Sequence, residues 1–122
     1  MKKVEIIIRR EKVDAVKKKL YEMGATGIML SNIAGYGQDD GYVQKYRGKE
    51  YTFQTVQKMK LETVVKNEQV GPIIQIVMDI ARTGKHGDGR IYVYDVSEVI
   101  RIRTGERGTD ALYQKYFFFH AT

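Results

Sequence analysis

Two stretches of this chain repeat apolar residues every three to four positions, and each is flanked by short β-branched or alternating runs. That alternation of periods restricts the fold more than any other feature. Val4-Glu5-Ile6-Ile7-Ile8 reads as a buried strand. From Glu11 to Met23, the residues Val13, Val16, Leu20 and Met23 share one helical face, Lys12, Lys17, Lys18, Lys19 and Glu22 take the others, and Gly24 provides a stop. A second strand fits Gly27 to Ala34. A third fits Lys58 to Val65, where Met59, Leu61, Thr63 and Val65 alternate with Lys58, Lys60, Glu62 and Val64. Asn67 suits the cap of a second helix with Glu68 in its first turn and the stripe Val70, Ile73, Ile74, Val77 and Ile80. Pro72 lies close enough to that start to be tolerated, and Thr83-Gly84 ends the helix. Arg90 to Asp95 is a fourth strand, and Val99 to Arg103 a short fifth.

The order β-α-β-β-α-β is that of an α+β, ferredoxin-like subunit, with both helices on one face of an antiparallel sheet. At 122 residues the chain forms one domain with a core of its own. Ile7 and Val64 would place apolar side chains on the second sheet face as well, so self-association is expected to cover it. The connection from about Gly35 to Gln57 far exceeds the ~2–5 residues of a hairpin loop. Its four glycines (Gly35, Gly37, Gly41, Gly48) and its aromatic residues Tyr36, Tyr42, Tyr46, Tyr51 and Phe53 suit an interaction loop better than a spacer.

A formal net charge of +6 favours anionic partners without choosing among nucleic acid, acidic membrane and phosphate-bearing small molecules. The absence of cysteine excludes disulfides and thiolate catalysis. No run of ~20 apolar residues is present, and the run after Met1-Lys2-Lys3 is broken by Glu5 and closed by Arg9 and Arg10, so a soluble, cytoplasmic protein is expected. His86 and His120 are far apart, and Ser31 and Ser97 lack a nucleophile-elbow context, so no catalytic set assembles and an enzyme is not expected.

The richest local pattern is Thr83-Gly84-Lys85-His86-Gly87-Asp88-Gly89-Arg90. Closely spaced glycines let backbone N–H groups converge on an anion, and Arg90, Arg101 and Arg103 offer planar forks for phosphate oxygens. On a strand, Arg101 and Arg103 would share a face. A tight turn with solvated arginines suits the same residues. Arg47-Gly48-Lys49-Glu50-Tyr51-Thr52-Phe53 imitates the signature of an RNA-recognition strand, which makes an RNA-binding ferredoxin-like module the alternative function. Lys49 stands where that signature wants an aromatic ring, and Lys58 to Val65 is the better strand, so the imitation falls inside the long loop.

Three of these segments, in order, resemble a known family. Tyr46-Arg47-Gly48-Lys49-Glu50-Tyr51 resembles the loop signature of PII signal-transduction proteins, Thr83 to Val93 resembles their second signature, and Arg101-Ile102-Arg103-Thr104-Gly105-Glu106 resembles their C-terminal run. The resemblance implies a PII-like domain over residues 1–112, a loop (the T-loop) over about 37–57, and an aromatic extension over 113–122. It implies a homotrimer with ATP or ADP bound between subunits. Gly87, Asp88, Gly89 and Arg90 would hold the phosphates with Arg101 and Arg103, and Ile7, Gly35, Tyr36, Gly37, Glu62 and Val64 would line the adenosine pocket. Lys58 matches the lysine that pairs with 2-oxoglutarate, although by composition it is a solvated strand lysine. Tyr46, Arg47, Lys49 and Tyr51 belong to the partner and modification loop, with a contact role favoured for Tyr51. The implied partner is an ammonium channel, another transporter, or an enzyme or regulator of nitrogen assimilation. A transporter would recruit the protein peripherally to a membrane, and nucleic acid is not expected.

Three positions depart from the family pattern. Gln38 stands in place of an arginine, Asp39 in place of a glutamine that helps to hold Mg²⁺ and 2-oxoglutarate, and Met29 in place of a threonine. Asp39 could still ligate Mg²⁺ with ATP, but it brings negative charge towards a dianion. Two like charges ~4 Å apart at an effective dielectric of 20 repel by about 4 kcal/mol. A weakened or absent 2-oxoglutarate response is therefore expected. Tyr113, Tyr116, Phe117, Phe118 and Phe119 would make a sticky patch if exposed, so an extra strand or an interface is expected there.

Overall fold

The computed structural model describes residues 1–25, 27–35, 42–46, 49–53 and 56–112, of which 35, 42–46, 49–53, 56 and 57 are described in their backbone alone. Strand β1 (Lys2–Ile8) lies at the centre. A 3-10 turn (Arg10–Lys12) leads into helix α1 (Val13–Glu22), followed by β2 (Met29–Gly35), β3 (Tyr42–Tyr46), β4 (Lys49–Phe53), β5 (Val56–Val65), α2 (Asn67–Ala81) and β6 (Arg90–Asp95). The main sheet has the order β2-β5-β1-β6. Every pairing is antiparallel, from Lys2↔Val65 to Ile8↔Met59 on one side of β1 and from Lys2↔Asp95 to Ile7↔Arg90 on the other.

Period two in β1 divides the molecule. Val4, Ile6 and Ile8 are buried beneath the helices, together with Leu61 and Val65 from β5. They meet Val13, Val16 and Leu20 of α1 and Ile73, Val77 and Ala81 of α2 in one core. The helical stripes read from the sequence are therefore the packed faces. The N-cap of α2 is Lys66 rather than Asn67: Gln69 Oε1 accepts from the Lys66 backbone N–H at 3.0 Å, which satisfies a donor at the helix start. Pro72 lies inside α2, and the helix closes at Ala81, before the expected Thr83-Gly84.

Two expectations change. The long connection is not a featureless loop, because β3 and β4 pair into a two-stranded hairpin from Tyr42↔Phe53 to Tyr46↔Lys49. Its tyrosines, Val43 and Thr52 favour extended backbone, and cross-strand pairing satisfies it. The fifth strand over Val99 to Arg103 does not form. A single bridge, Ile100↔Arg107, stands there instead, because the Gly105 N–H donates to the Arg101 carbonyl at 2.7 Å and curls the chain into a turn.

The open sheet face carries more charge than its apolar residues alone suggest. Lys3 bridges Glu5 (3.8 Å) and Glu62 (3.7 Å), and Lys60 bridges Glu62 at 3.1 Å. The Lys3 ammonium also sits 4.5 Å from the ring centre of Tyr94. Met29, Tyr92 and Tyr94 stay exposed, the first by 67%. Among the described residues no helix is long and apolar enough to cross a membrane.

Neighbouring residues of α1 give a test of this packing. Leu20 is fully buried and Tyr21 is 56% exposed. Leu20→Ala is expected to cost ~2–5 kcal/mol of stability, whereas Tyr21→Ala stays within about 0.5 kcal/mol, measured by urea denaturation at one protein concentration.

Candidate functional site

The chain between α2 and β6 is organised around one carboxylate. Asp88 Oδ2 accepts from the backbone N–H groups of Thr83 and Gly84, each at 2.9 Å. Its Oδ1 accepts the Thr83 hydroxyl and, at 3.3 Å, Nη2 of Arg9. The Thr83 hydroxyl oxygen in turn accepts the Lys85 N–H at 3.1 Å. These donors, the Thr83 hydroxyl foremost and then the Thr83 amide, hold the Asp88 carboxyl well below the usual carboxylate range. Asp88 thus spends its charge inside its own loop. Its carboxylate shapes the backbone around it.

Arg9 is the residue that sequence reasoning missed. Nη2 donates to the His86 carbonyl at 2.7 Å as well as to Asp88, so one guanidinium grips the loop at two points. A Cβ on Gly87 would lie 3.2 Å from that nitrogen. The available signal was positional: Arg9 follows the strand that pairs with β6, which brings it beside the loop preceding β6.

The tightest constraint is at Gly89. Its φ is +101°, and a Cβ there would stand 1.8 Å from the Ile7 carbonyl oxygen. No side chain fits, so the loop lies flush on the end of β1. Gly84 and Gly87 also take positive φ. A backbone turned this way three times in six residues exposes main chain to close approach, which suits an anion. Arg90 follows at once, exposed, at the start of β6 opposite Ile7.

The expected pocket residues are spread along the sheet: Ile7 stands opposite Lys60 and Arg90 beside the loop, Glu62 opposite Glu5, and Val64 opposite Lys3 towards the other end of β1. Ile7 is half-buried and shares the open face with Glu62 and Val64. Lys60, above all through its hydrogen bond, keeps the Glu62 carboxyl below its ordinary range. Gly35 pairs with Val56 at the far end of β2. Lys58, solvated by composition, is instead 6% exposed. Tyr46, Lys49 and Tyr51 lie in the hairpin, while Tyr36, Gly37, Gln38, Asp39 and Arg47 fall outside the described residues.

Arg101 and Arg103 are held elsewhere. The chain leaves β6 at Asp95, about 17 Å from Arg90 at the usual strand rise. Arg101 bridges Glu106 at 3.1 Å and donates to the Ala111 carbonyl at 3.4 Å. Arg103 sits exposed in the turn rather than beside Arg101 on a strand face. The stretch that imitates an RNA-recognition strand fares no better, since β4 pairs with β3 and lies outside the four-stranded sheet.

The family model for nitrogen regulatory protein P-II matches residues 1–106. The chain belongs to the P-II family. It is 47% identical to the nitrogen regulatory protein P-II of Pasteurella multocida (strain Pm70), 46% to that of Microchaete diplosiphon and 45% to that of Rhodospirillum rubrum. Each match spans 112 residues, 92% of this chain and all of the relative. Membership in P-II makes the chain a signal-transduction regulator of nitrogen metabolism, in a family whose members regulate rather than catalyse and act by binding target proteins.

The depressed acidity of Asp88 gives the loop a pH signature. A carboxylate held below its ordinary value of 3.8 contributes stability above that pH, and the contribution is lost as pH falls further. The difference in urea midpoint between the parent chain and Asp88→Asn is therefore expected to be full at neutral pH and to shrink below pH 3.8. A difference that stays constant across that range contradicts the assignment.

Proposed function

We propose that this P-II protein is a cytoplasmic homotrimer that binds ATP or ADP in clefts between subunits and controls a target protein through the segment 37–57. The observation that carries the reading is the 83–90 loop: positive-φ glycines pinned by Asp88 and Arg9, packed on Ile7 and followed by an exposed arginine. Gly87, Gly89 and Arg90 would hold the phosphates, with Asp88 shaping the loop. Ile7, Gly35, Tyr36, Gly37, Glu62 and Val64 would surround the adenosine.

The separation of Arg101 and Arg103 from this loop supports a shared cleft, because a neighbouring subunit can supply them where the same chain holds them apart. Exposed Met29, Tyr92 and Tyr94 on the open face, and Ile102 at 99% exposure, are surfaces that a trimer would cover. Tyr46, Arg47, Lys49 and Tyr51 in or beside the β3–β4 hairpin would meet the partner, with Tyr51 as a contact. The partner is an ammonium channel, another transporter, or a nitrogen-assimilation enzyme or regulator, and a transporter would bring the protein to a membrane surface.

The second element of the proposal concerns 2-oxoglutarate. Lys58 is the candidate for its carboxylate, and Asp39 for Mg²⁺ bound with ATP. Asp39 also repels a dianion, and Gln38 brings no compensating cation, so adenylate ratio is the main input and 2-oxoglutarate acts weakly or not at all.

Native mass, nucleotide calorimetry and a 2-oxoglutarate titration test these points. Native mass and calorimetry are expected to give a trimer that binds ADP and ATP. Arg103→Ala is expected to weaken both nucleotides by ~1.5–3 kcal/mol, the usual worth of a hydrogen bond to a charged group. A monomer that ignores both nucleotides overturns the reading. Titration of 2-oxoglutarate into protein saturated with Mg-ATP is expected to show little heat, and micromolar affinity there defeats the second element alone.

A further inference from the structure

The edge of the main sheet leaves an apolar groove on the helix side. Val4, Ile6 and Ile8 of β1 are fully covered, whereas Val93 of β6, paired with Val4 and facing the same way, is 44% exposed. The space between α2 and β6 is about 390 Å³, lined by Ile74, Val77 and Met78 of the helix, Ile91 and Val93 of the strand, and Ile8 below. That volume falls within the ~300–1,000 Å³ of ordinary ligand pockets. Among the described residues the outer edge of β6 has no strand beside it. An edge strand with apolar side chains is a template for another strand.

The chain carries a complement to this groove. Residues 113–122 include Tyr113, Tyr116, Phe117, Phe118 and Phe119, with Lys115 the single formally charged side chain. They follow the family-matched residues 1–106, so the family pattern assigns them no place. The structure indicates where they start. The Gly108 N–H donates to the Val99 carbonyl at 2.9 Å, which returns the chain to within four residues of Asp95, and Arg101 holds the Ala111 carbonyl. A segment leaving Leu112 and running back along β6 would be antiparallel to it. Extended, ten residues reach ~33 Å, ample for the ~20 Å of β6.

We propose that residues 113–122 pair antiparallel with the outer edge of β6 of their own chain and fill the α2–β6 groove with aromatic rings. Alternation along a strand puts either Phe117 and Phe119 or Tyr116 and Phe118 into the groove, and the remainder outside. Asp88, Gly89 and Arg90 border the same cavity, so this seat is contiguous with the anion loop. The proposal does not rest on nucleotide binding.

Among the described residues no aromatic side chain lines the groove, so ring-current shifts there report the extension. In the full chain, methyl NMR is expected to show upfield-shifted signals from Ile74, Val77 and Met78. These return to ordinary positions when Phe117, Phe118 and Phe119 are replaced by serine. Val93→Lys, which changes the groove and leaves the extension intact, is expected to produce the same loss and to speed amide exchange over 114–119. Superimposable spectra in both variants overturn the proposal. Labelled parent chain assembled with an excess of the unlabelled triple-serine variant separates own from neighbour. Persistence of the shifts supports pairing within one chain, and their loss assigns the groove to another copy's extension and overturns it.

Discussion

The central position of β1 is the constraint on which the remaining structure depends. It is paired on both sides, so its seven residues set the register of β5 and β6 together. A slip of one residue would turn Val4, Ile6 and Ile8 out of the core and put Lys3, Glu5 and Ile7 into it. The same period that builds the core also places Ile7 at the candidate site. Stability and the geometry of the candidate site are therefore bound to one strand.

The 83–90 loop is ordered by one carboxylate and one guanidinium. Asp88 gathers the amides and hydroxyl at the start of the loop, and Arg9 ties that carboxylate and the His86 carbonyl to the end of β1. Gly89 then lies against the Ile7 carbonyl where any Cβ would collide. Fixed in this way, the backbone of the loop is ordered by contacts within the chain itself. Arg90 supplies charge at the exit. Arg101, which follows β6 in the chain, is tethered to Glu106 and the Ala111 carbonyl.

Much of this was legible in the residues. The apolar stripes of α1 and α2 became the buried faces, because helical spacing and core burial are two descriptions of one constraint. Lys58 to Val65 proved the better strand than the RNA-signature imitation for a similar reason, its alternation matching a half-covered sheet. The Val99–Arg103 strand failed because β-branched content ignores a glycine two residues later that can hydrogen-bond back to Arg101. The hairpin of β3 and β4 was hidden by the glycines around it, which suggest loop even where tyrosine, valine and threonine prefer extended chain.

Local pattern alone thus determined the two helices, the four strands of the main sheet, the core positions and the glycine loop, since each depends on neighbours within a few residues. Tertiary structure decided what depends on residues far apart: that Arg9 grips His86 and Asp88 across more than seventy positions, that Lys58 is buried, and that Arg101 turns to Glu106 rather than to the loop. A side chain's environment is set by the elements packed around it, and that packing exists only once the strands have found their partners.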